Sequence, residues 1–204
     1  MISIKPTLLL FFCAVMVHCF VGCSNLPGEG VSIGCFPQSC DALYLQNQSK
    51  ENVLCLRGSI GGIPLEHNAK MEDIAIEFVH KKFPTYNGGS ALFRIDYTYE
   101  QCTGIKLYTF LNATMIDDIT DLFYISQEES CICWFDKGES LMEVPPRGFA
   151  LSDFIDNRPL MPVTFILTAP SISYNSFKGN IIAIELELDH VKQLSCVLSL
   201  DEGF

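Results

Sequence analysis

The stretch Cys131-Ile132-Cys133-Trp134-Phe135-Asp136-Lys137-Gly138 sets two thiols one residue apart, ahead of an aromatic pair and a tight turn. Thiols so spaced serve either as disulfide partners or as zinc ligands. A zinc site would need a second C-x-x-C or a pair of histidines close by, and the neighbouring sequence offers neither. Other chemistry is scarce. The chain has no G-x-S-x-G, no H-E-x-x-H and no phosphate-binding glycine loop. His67, His80 and His190 each sit in or beside a polar stretch, where a solvated surface role is expected. Asp117-Asp118 and Glu128-Glu129 read as a helix end or exposed loops rather than acid pairs. The expectation is a protein that is not an enzyme, with no catalytic residue, no metal and no cofactor.

Ten cysteines are present. Cys13 and Cys19 fall in an N-terminal stretch built like a secretory signal, with Lys5 ahead of the apolar run Leu8 to Val17. Cleavage near residue 22 would leave Cys23 (or not), Cys35, Cys40, Cys55, Cys102, Cys131, Cys133 and Cys196. A membrane anchor and a bacterial lipoprotein (from Phe20-Val21-Gly22-Cys23) are the rival readings of this end. Secretion with so many thiols argues for disulfides in an oxidising compartment. Two sequons, at Asn47 and Asn112, fit N-glycosylation.

The net charge of −11 repels phosphate backbones, so no nucleic-acid partner is expected. It also disfavours docking on anionic membranes at neutral pH, less so where acid protonates the carboxylates. Hydrophobic residues make up 49% and charged ones 18%, the balance of a globular chain with a core.

The elements that must position these groups read mostly as strands. After the signal (1–22) comes a Gly- and Pro-rich leader (23–38), then one domain (39–204). Val53 to Ser59, Met71 to Val79, Ala91 to Tyr99, Ile105 to Phe110, Val163 to Thr168, Ile181 to Leu188 and Gln193 to Leu200 alternate or nearly so. A single short helix is expected from Thr114, with Ile116, Ile119 and Leu122/Phe123 at helical spacing and Asp117 three residues after the cap. The region bounded by Pro145-Pro146 and Asn157-Arg158-Pro159 reads as loop-like. The fold class is all-β, an immunoglobulin-like antiparallel sandwich.

Two blocks carry a resemblance. CICWFDKGESLMEVP joins a C-x-C to a turn and a strand into proline, and GNIIAIELELDHVKQLSC opens a strand on Gly-Asn and ends on Leu-x-Cys. With the upstream VLCLRGSIGGIPLEHNAKMEDIAIEF, the chain resembles the GM-2 ganglioside activator family of the ML (MD-2-related lipid-recognition) superfamily. The resemblance spans roughly residues 39 to 204. It implies a β-cup, a sandwich parted by an apolar lipid cavity. It also implies a non-enzymatic role: lifting a glycosphingolipid or similar lipid from a transiently touched membrane and presenting it to a lysosomal glycosidase such as a β-hexosaminidase. A secreted or lysosomal location follows. The resemblance further implies a Cys40–Cys196 disulfide. Cys102 would pair with Cys131 or Cys133, which stays open, and Cys35 and Cys55 have no family counterparts.

An acyl tail left wet costs ~0.8 kcal/mol per methylene, on the order of 10 kcal/mol for a long one, and a dry cavity offsets this. The expected cavity wall is Ile74, Ile76, Phe78, Phe93, Ile95, Tyr97, Phe165, Leu167, Ile182, Ile184 and Leu186. Ile172, Tyr174 and Phe177 are the expected membrane-facing rim. The alternative is a secreted interaction protein, receptor co-factor or effector on the same fold, and a lipid esterase is a third possibility with no nucleophile–histidine pair to nominate.

Overall fold

A computed structural model describes residues 31–50, 53–66, 69–82, 91–111, 114–127 and 132–200. The expected signal, Cys131, Asn112, His67 and Glu128-Glu129 lie outside these residues, as do the side chains of Phe93, Ile95 and His80.

In chain order the strands are β1 (Val31–Gln38), β2 (Ala42–Asn47), β3 (Leu54–Gly61), β4 (Ala91–Leu111), β5 (Thr114–Asp118), β6 (Tyr124–Gln127) and β7 (Ile132–Phe135). They continue as β8 (Ser140–Glu143), β9 (Phe149–Ala150), β10 (Leu160–Pro162), β11 (Thr164–Ala169), β12 (Ile181–Leu188) and β13 (Lys192–Ser199). Among the described residues two helices interrupt them, α1 (Ala69–Lys82) and α2 (Leu151–Asp156).

The fold is an all-β sandwich. One sheet runs β1-β4-β12-β13, with β5 and β10 also on β4. The other runs β2-β3-β11-β6-β9. Neighbours pair antiparallel except β1 with β4, which is parallel. The alternation seen in sequence sets the inner faces. Ile182, Ile184, Leu186 and Leu188 of β12 are buried against Phe165, Leu167 and Ala169 of β11 and Leu54, Leu56 and Ile60 of β3, all in one cluster. Phe165 lies opposite Gly58, and its ring fills the space where a side chain on Gly58 would stand, 2.1 Å from an ideal Cβ.

A second, smaller core holds Cys35, Met71, Ala75, Tyr97, Ile132, Trp134, Leu141 and Leu160. The wall between the two interiors is β7. Its even residues Ile132 and Trp134 join the second core, and its odd residues Cys133 and Phe135 join the first. All four are buried, which a strand achieves only with apolar packing on both faces. β10 divides likewise, Leu160 to one side and Met161 to the other.

Strand β4 serves both interiors through a bulge. Leu188 pairs with Cys102 and Glu187 with Gly104, leaving Thr103 as the extra residue. Without it, Ile105 and Leu107 would share Tyr97's face and turn away from the main core.

Two expectations are corrected. Met71 to Val79 is not a strand but the middle of α1. Ile74, Ile76 and Phe78 satisfy period 2, yet Met71, Ile74, Ala75 and Phe78 also fall at helical spacing, and Met71 and Ala75 point into the second core. Ala, Lys, Met and Glu through this stretch favour the helix, and Glu72 suits its first turn. Conversely, the helix expected from Thr114 is strand β5 followed by a 3-10 turn at Thr120–Leu122. Asp118 Oδ1 accepts from both the backbone N–H and the hydroxyl of Thr120, a local bond that competes with helical pairing. The loop-like region expected between Pro145-Pro146 and Asn157-Arg158-Pro159 contains α2. Its Phe154 meets Phe135 and Phe149 with ring centroids 5.9 and 6.1 Å away.

Gly58→Ala should lower stability by about 1–3 kcal/mol, because the buried Phe165 ring has nowhere to go. Urea titration measures this, and Phe165→Leu on the same chain should recover part of the loss. An unchanged midpoint for Gly58→Ala would mean the ring swings aside freely.

Candidate functional site

The structure brings together five of the expected cavity residues. Phe165 and Leu167 on one sheet and Ile182, Ile184 and Leu186 on the other are at most 1% exposed and belong to the main core. The remaining described ones lie elsewhere. Tyr97 is in the second core, and Ile74, Ile76 and Phe78 pack against that core from α1. The expected single wall is therefore split by β7 into two interiors. The reason is the bulge at Thr103 and the double-faced β7, neither of which shows in local periodicity.

Ile172, Tyr174 and Phe177, the expected rim, are half-buried and pack onto the main core. The backbone holds this segment in place: Leu54 N–H donates to Ile172 O at 3.2 Å, and Ile172 N–H to Ala169 O at 3.1 Å.

The two sheets approach each other along the seam between β2 and β13. Each is the last strand of its sheet, hydrogen-bonded to β3 and β12 respectively. Two polar contacts mark the ends of the seam. At the head, Lys192 Nζ lies 3.4 Å from both Asp41 Oδ1 and Glu100 Oε1. At the tail, Asn47 Nδ2 donates to Tyr174 Oη at 3.3 Å. Leu200, just past β13, exchanges backbone bonds with Gly179 and Asn180 of the same segment. The two strands thus run the same way, heads at Lys192 and Asp41. Between the pins, Leu194, Cys196 and Leu198 of β13 are half-buried against the core, whereas their partners on β12 are buried completely.

The Lys192 cluster was not visible in the sequence. Its members stand 151 and 92 positions apart, and no motif joins them. Partial desolvation works against the Lys192 charge, but Glu100 and then Asp41 outweigh it and raise its pKa. Asp41 is held below the usual carboxylate range by the Ser39 hydroxyl first and Lys192 next.

The described cysteines, Cys35, Cys40, Cys55, Cys102, Cys133 and Cys196, are thiols in the structure. The implied Cys40–Cys196 bridge is absent, and Cys102 is not bonded to Cys133. Burial pushes Cys35, Cys40, Cys102 and Cys133 up to about 12. Such thiols are poor nucleophiles at neutral pH. Among the described residues no three His, Cys, Asp or Glu side chains gather to hold a metal.

His190 is the one described histidine ring near a carboxylate that holds it. Its Nδ1 lies 3.1 Å from Glu187 Oε1, and the same oxygen accepts from Thr103 Oγ1 at 2.9 Å. The hydroxyl gives its proton to the carboxylate, so the imidazole does not face it as a base. The adjacent recess, lined by Gly104, Lys106, Glu185, Glu187 and Gln193, holds about 70 Å³. That falls well short of the ~300 Å³ at which small-molecule sites begin.

In the second core, Trp134 is fully buried and its Nε1 has no hydrogen-bond partner. Tyr97 Oη reaches only the sulfur of Met71, at 3.0 Å.

Comparison with family models, with curated proteins and with solved structures finds nothing that matches this chain.

Proposed function

We propose that this chain is a non-enzymatic lipid-binding protein of secreted or lysosomal location. In this reading it lifts a (glyco)sphingolipid from a membrane and presents the head group to a hydrolase, as the ML resemblance implies. The observation that supports it is the seam. A carrier needs an apolar interior with one wall that opens, and β2 and β13 meet through side chains, not a backbone ladder. The main core behind them is filled by its own side chains, so uptake proceeds by parting the seam and replacing protein contacts with acyl contacts. The half-buried Leu194, Cys196 and Leu198 are the residues a tail would meet first. The pins at Lys192 and at Tyr174 set how readily the seam opens. Phe165, Leu167, Ile182, Ile184 and Leu186 would then line the inner end of the path. The sequon at Asn47 puts a glycan, where one is attached, at the tail of the seam and facing solvent.

A second reading, a secreted interaction protein, is favoured by a different surface. Phe36, Ile63 and Leu65 are 46%, 69% and 43% exposed on adjacent backbone, joined by Leu65 N–H to Pro37 O and Ser39 N–H to Ile63 O. Grouped exposed apolar side chains of this kind suit a protein contact.

Seam opening is testable by stapling. The parallel run of β2 and β13 sets Leu45 beside Cys196, each four residues past its head. Leu45→Cys, oxidised to a bond with native Cys196, should abolish extraction of a fluorescent-acyl glycosphingolipid from zwitterionic vesicles, and reduction should restore it. Uptake that is equally fast with the staple closed would rule the seam out. Lys192→Met, which frees the head pin, should speed uptake several-fold.

The acidic compartment gives a pH prediction. Asp41, Asp118 and Glu187 are all held below their usual values, Asp118 by Thr120 and Glu187 by Thr103 and then His190. A carboxylate depressed by folding adds stability above its unfolded pKa and loses it as pH falls through the folded one. From unfolded values of 3.8 and 4.5, melting temperature should stay level from pH 7 to about 5 and decline below about 4. Scanning calorimetry across that range measures it. A fall already complete at pH 5 would exclude a lysosomal working site.

A further inference from the structure

We propose that Cys40 and Cys102 form a disulfide in the mature protein, and that Cys196 remains a thiol. The argument is one of level within the sandwich. Lys192 pairs across β12 with Leu188, and Leu188 pairs across β4 with Cys102, so the three occupy one cross-section. Cys40 is fixed to that same section. Its backbone N–H donates to Glu100 Oε1 at 3.4 Å, and this oxygen also takes Lys192 Nζ. The next residue, Asp41, binds Lys192 as well. Glu100 and Cys102 are two residues apart on one strand and project to the same side. Cys40 therefore lies over the face from which Cys102 projects.

Cys196 stands four residues further along β13, about 13 Å away at strand spacing. Bridging Cys40 to Cys196 would mean sliding the head of β2 half the length of β13 and breaking the Lys192 cluster. Bridging Cys40 to Cys102 requires no such slide. Both thiols are at most 1% exposed in the same apolar cluster, and Cys40 is close enough to help raise the Cys102 pKa. Cys133 is the other thiol that Cys102 feels, which makes it the competitor for that partner.

The oxidant is a small-molecule disulfide such as oxidised glutathione. One cysteine thiolate attacks it, releasing one glutathione thiolate and leaving a mixed disulfide. The second cysteine thiolate displaces the other glutathione. The two cysteines lose two protons and two electrons, and the oxidant leaves as two thiols. Once buried, neither thiol ionises readily, so the bond closes during folding, before the core shuts. It ties the chain entering β2 to the bulged centre of β4. The seam beyond Lys192 stays unlinked, since Cys196 takes no part.

The test is a disulfide map of the full chain, secreted from a eukaryotic host or refolded in mixed reduced and oxidised glutathione. Free thiols are alkylated in denaturant before digestion. The expected result is a Cys40 peptide joined to a Cys102 peptide, with Cys196 alkylated. A Cys40–Cys196 peptide overturns the proposal, as does a Cys102–Cys133 peptide with Cys40 alkylated. Variants give a second readout. Cys40→Ser and Cys102→Ser should lower the unfolding midpoint equally, and the double variant no further, while Cys196→Ser leaves it in place. Additive losses in the double variant would also overturn it.

Discussion

One bulged residue, Thr103, decides how this chain is partitioned. A regular strand shows each face to one side for its whole length, and β4 is 21 residues long. Before the bulge, Cys102 and Glu100 turn to the main sandwich and Tyr97 turns to the other side. After it, Ile105 and Leu107 take over the main-core face. The extra residue is held on both sides. Its hydroxyl donates to Glu187 and accepts from the backbone N–H of His190. His190 itself sits with Asp189 at positive φ, 59° and 48°, the geometry of a two-residue hairpin turn that follows the strand twist. Asp189 in turn exchanges bonds with the backbone of Gln101, so turn and bulge fix each other.

That coupling explains what the sequence could and could not reveal. Strands whose neighbours are uniform, such as β12 with Ile182, Ile184 and Leu186 inward, were legible because a single period describes them. The five cavity candidates on β11 and β12 meet for the same reason. Tyr97 was misassigned because the face reversal at residue 103 depends on pairing with β12, more than 80 positions away. Ile74, Ile76 and Phe78 lie elsewhere for a different cause: five residues of alternation cannot exclude a helix when residues 71, 74, 75 and 78 are apolar too. The C-x-C segment was singled out for its thiols. Its structural meaning is that β7 faces two interiors, so that Trp134 and Phe135 are both buried on opposite sides.

The two interiors also differ in polarity. The main core is lined by aliphatic and phenyl groups and the thiols of Cys40, Cys102 and Cys133, with Glu100 Oε2 buried without a partner at its head. The second contains a Trp N–H without an acceptor and a Tyr hydroxyl whose acceptor is a thioether. An unmatched buried donor costs roughly 1–3 kcal/mol. The helix α1 that covers this core therefore sits over an interior with one unmatched donor. The tail half of the main core, away from Glu100 and the thiols, is the better solvent for a hydrocarbon tail.

Where the chain is tied and where it is loose then follow one pattern. Ion pairs at the head of the seam hold the chain entering β2, β4 and β13 together at one end of the sandwich. Toward the tail, the ties are one side-chain bond from Asn47 and the backbone bonds of Leu200. Exposed ion pairs contribute about 0–1 kcal/mol, so the charges alone are a weak clasp. A covalent link at their level would make the head a fixed hinge and leave the tail as the end that moves. A wall hinged at one end opens by rotation, which exposes the tail-side apolar residues first and leaves the bulge and its hairpin undisturbed.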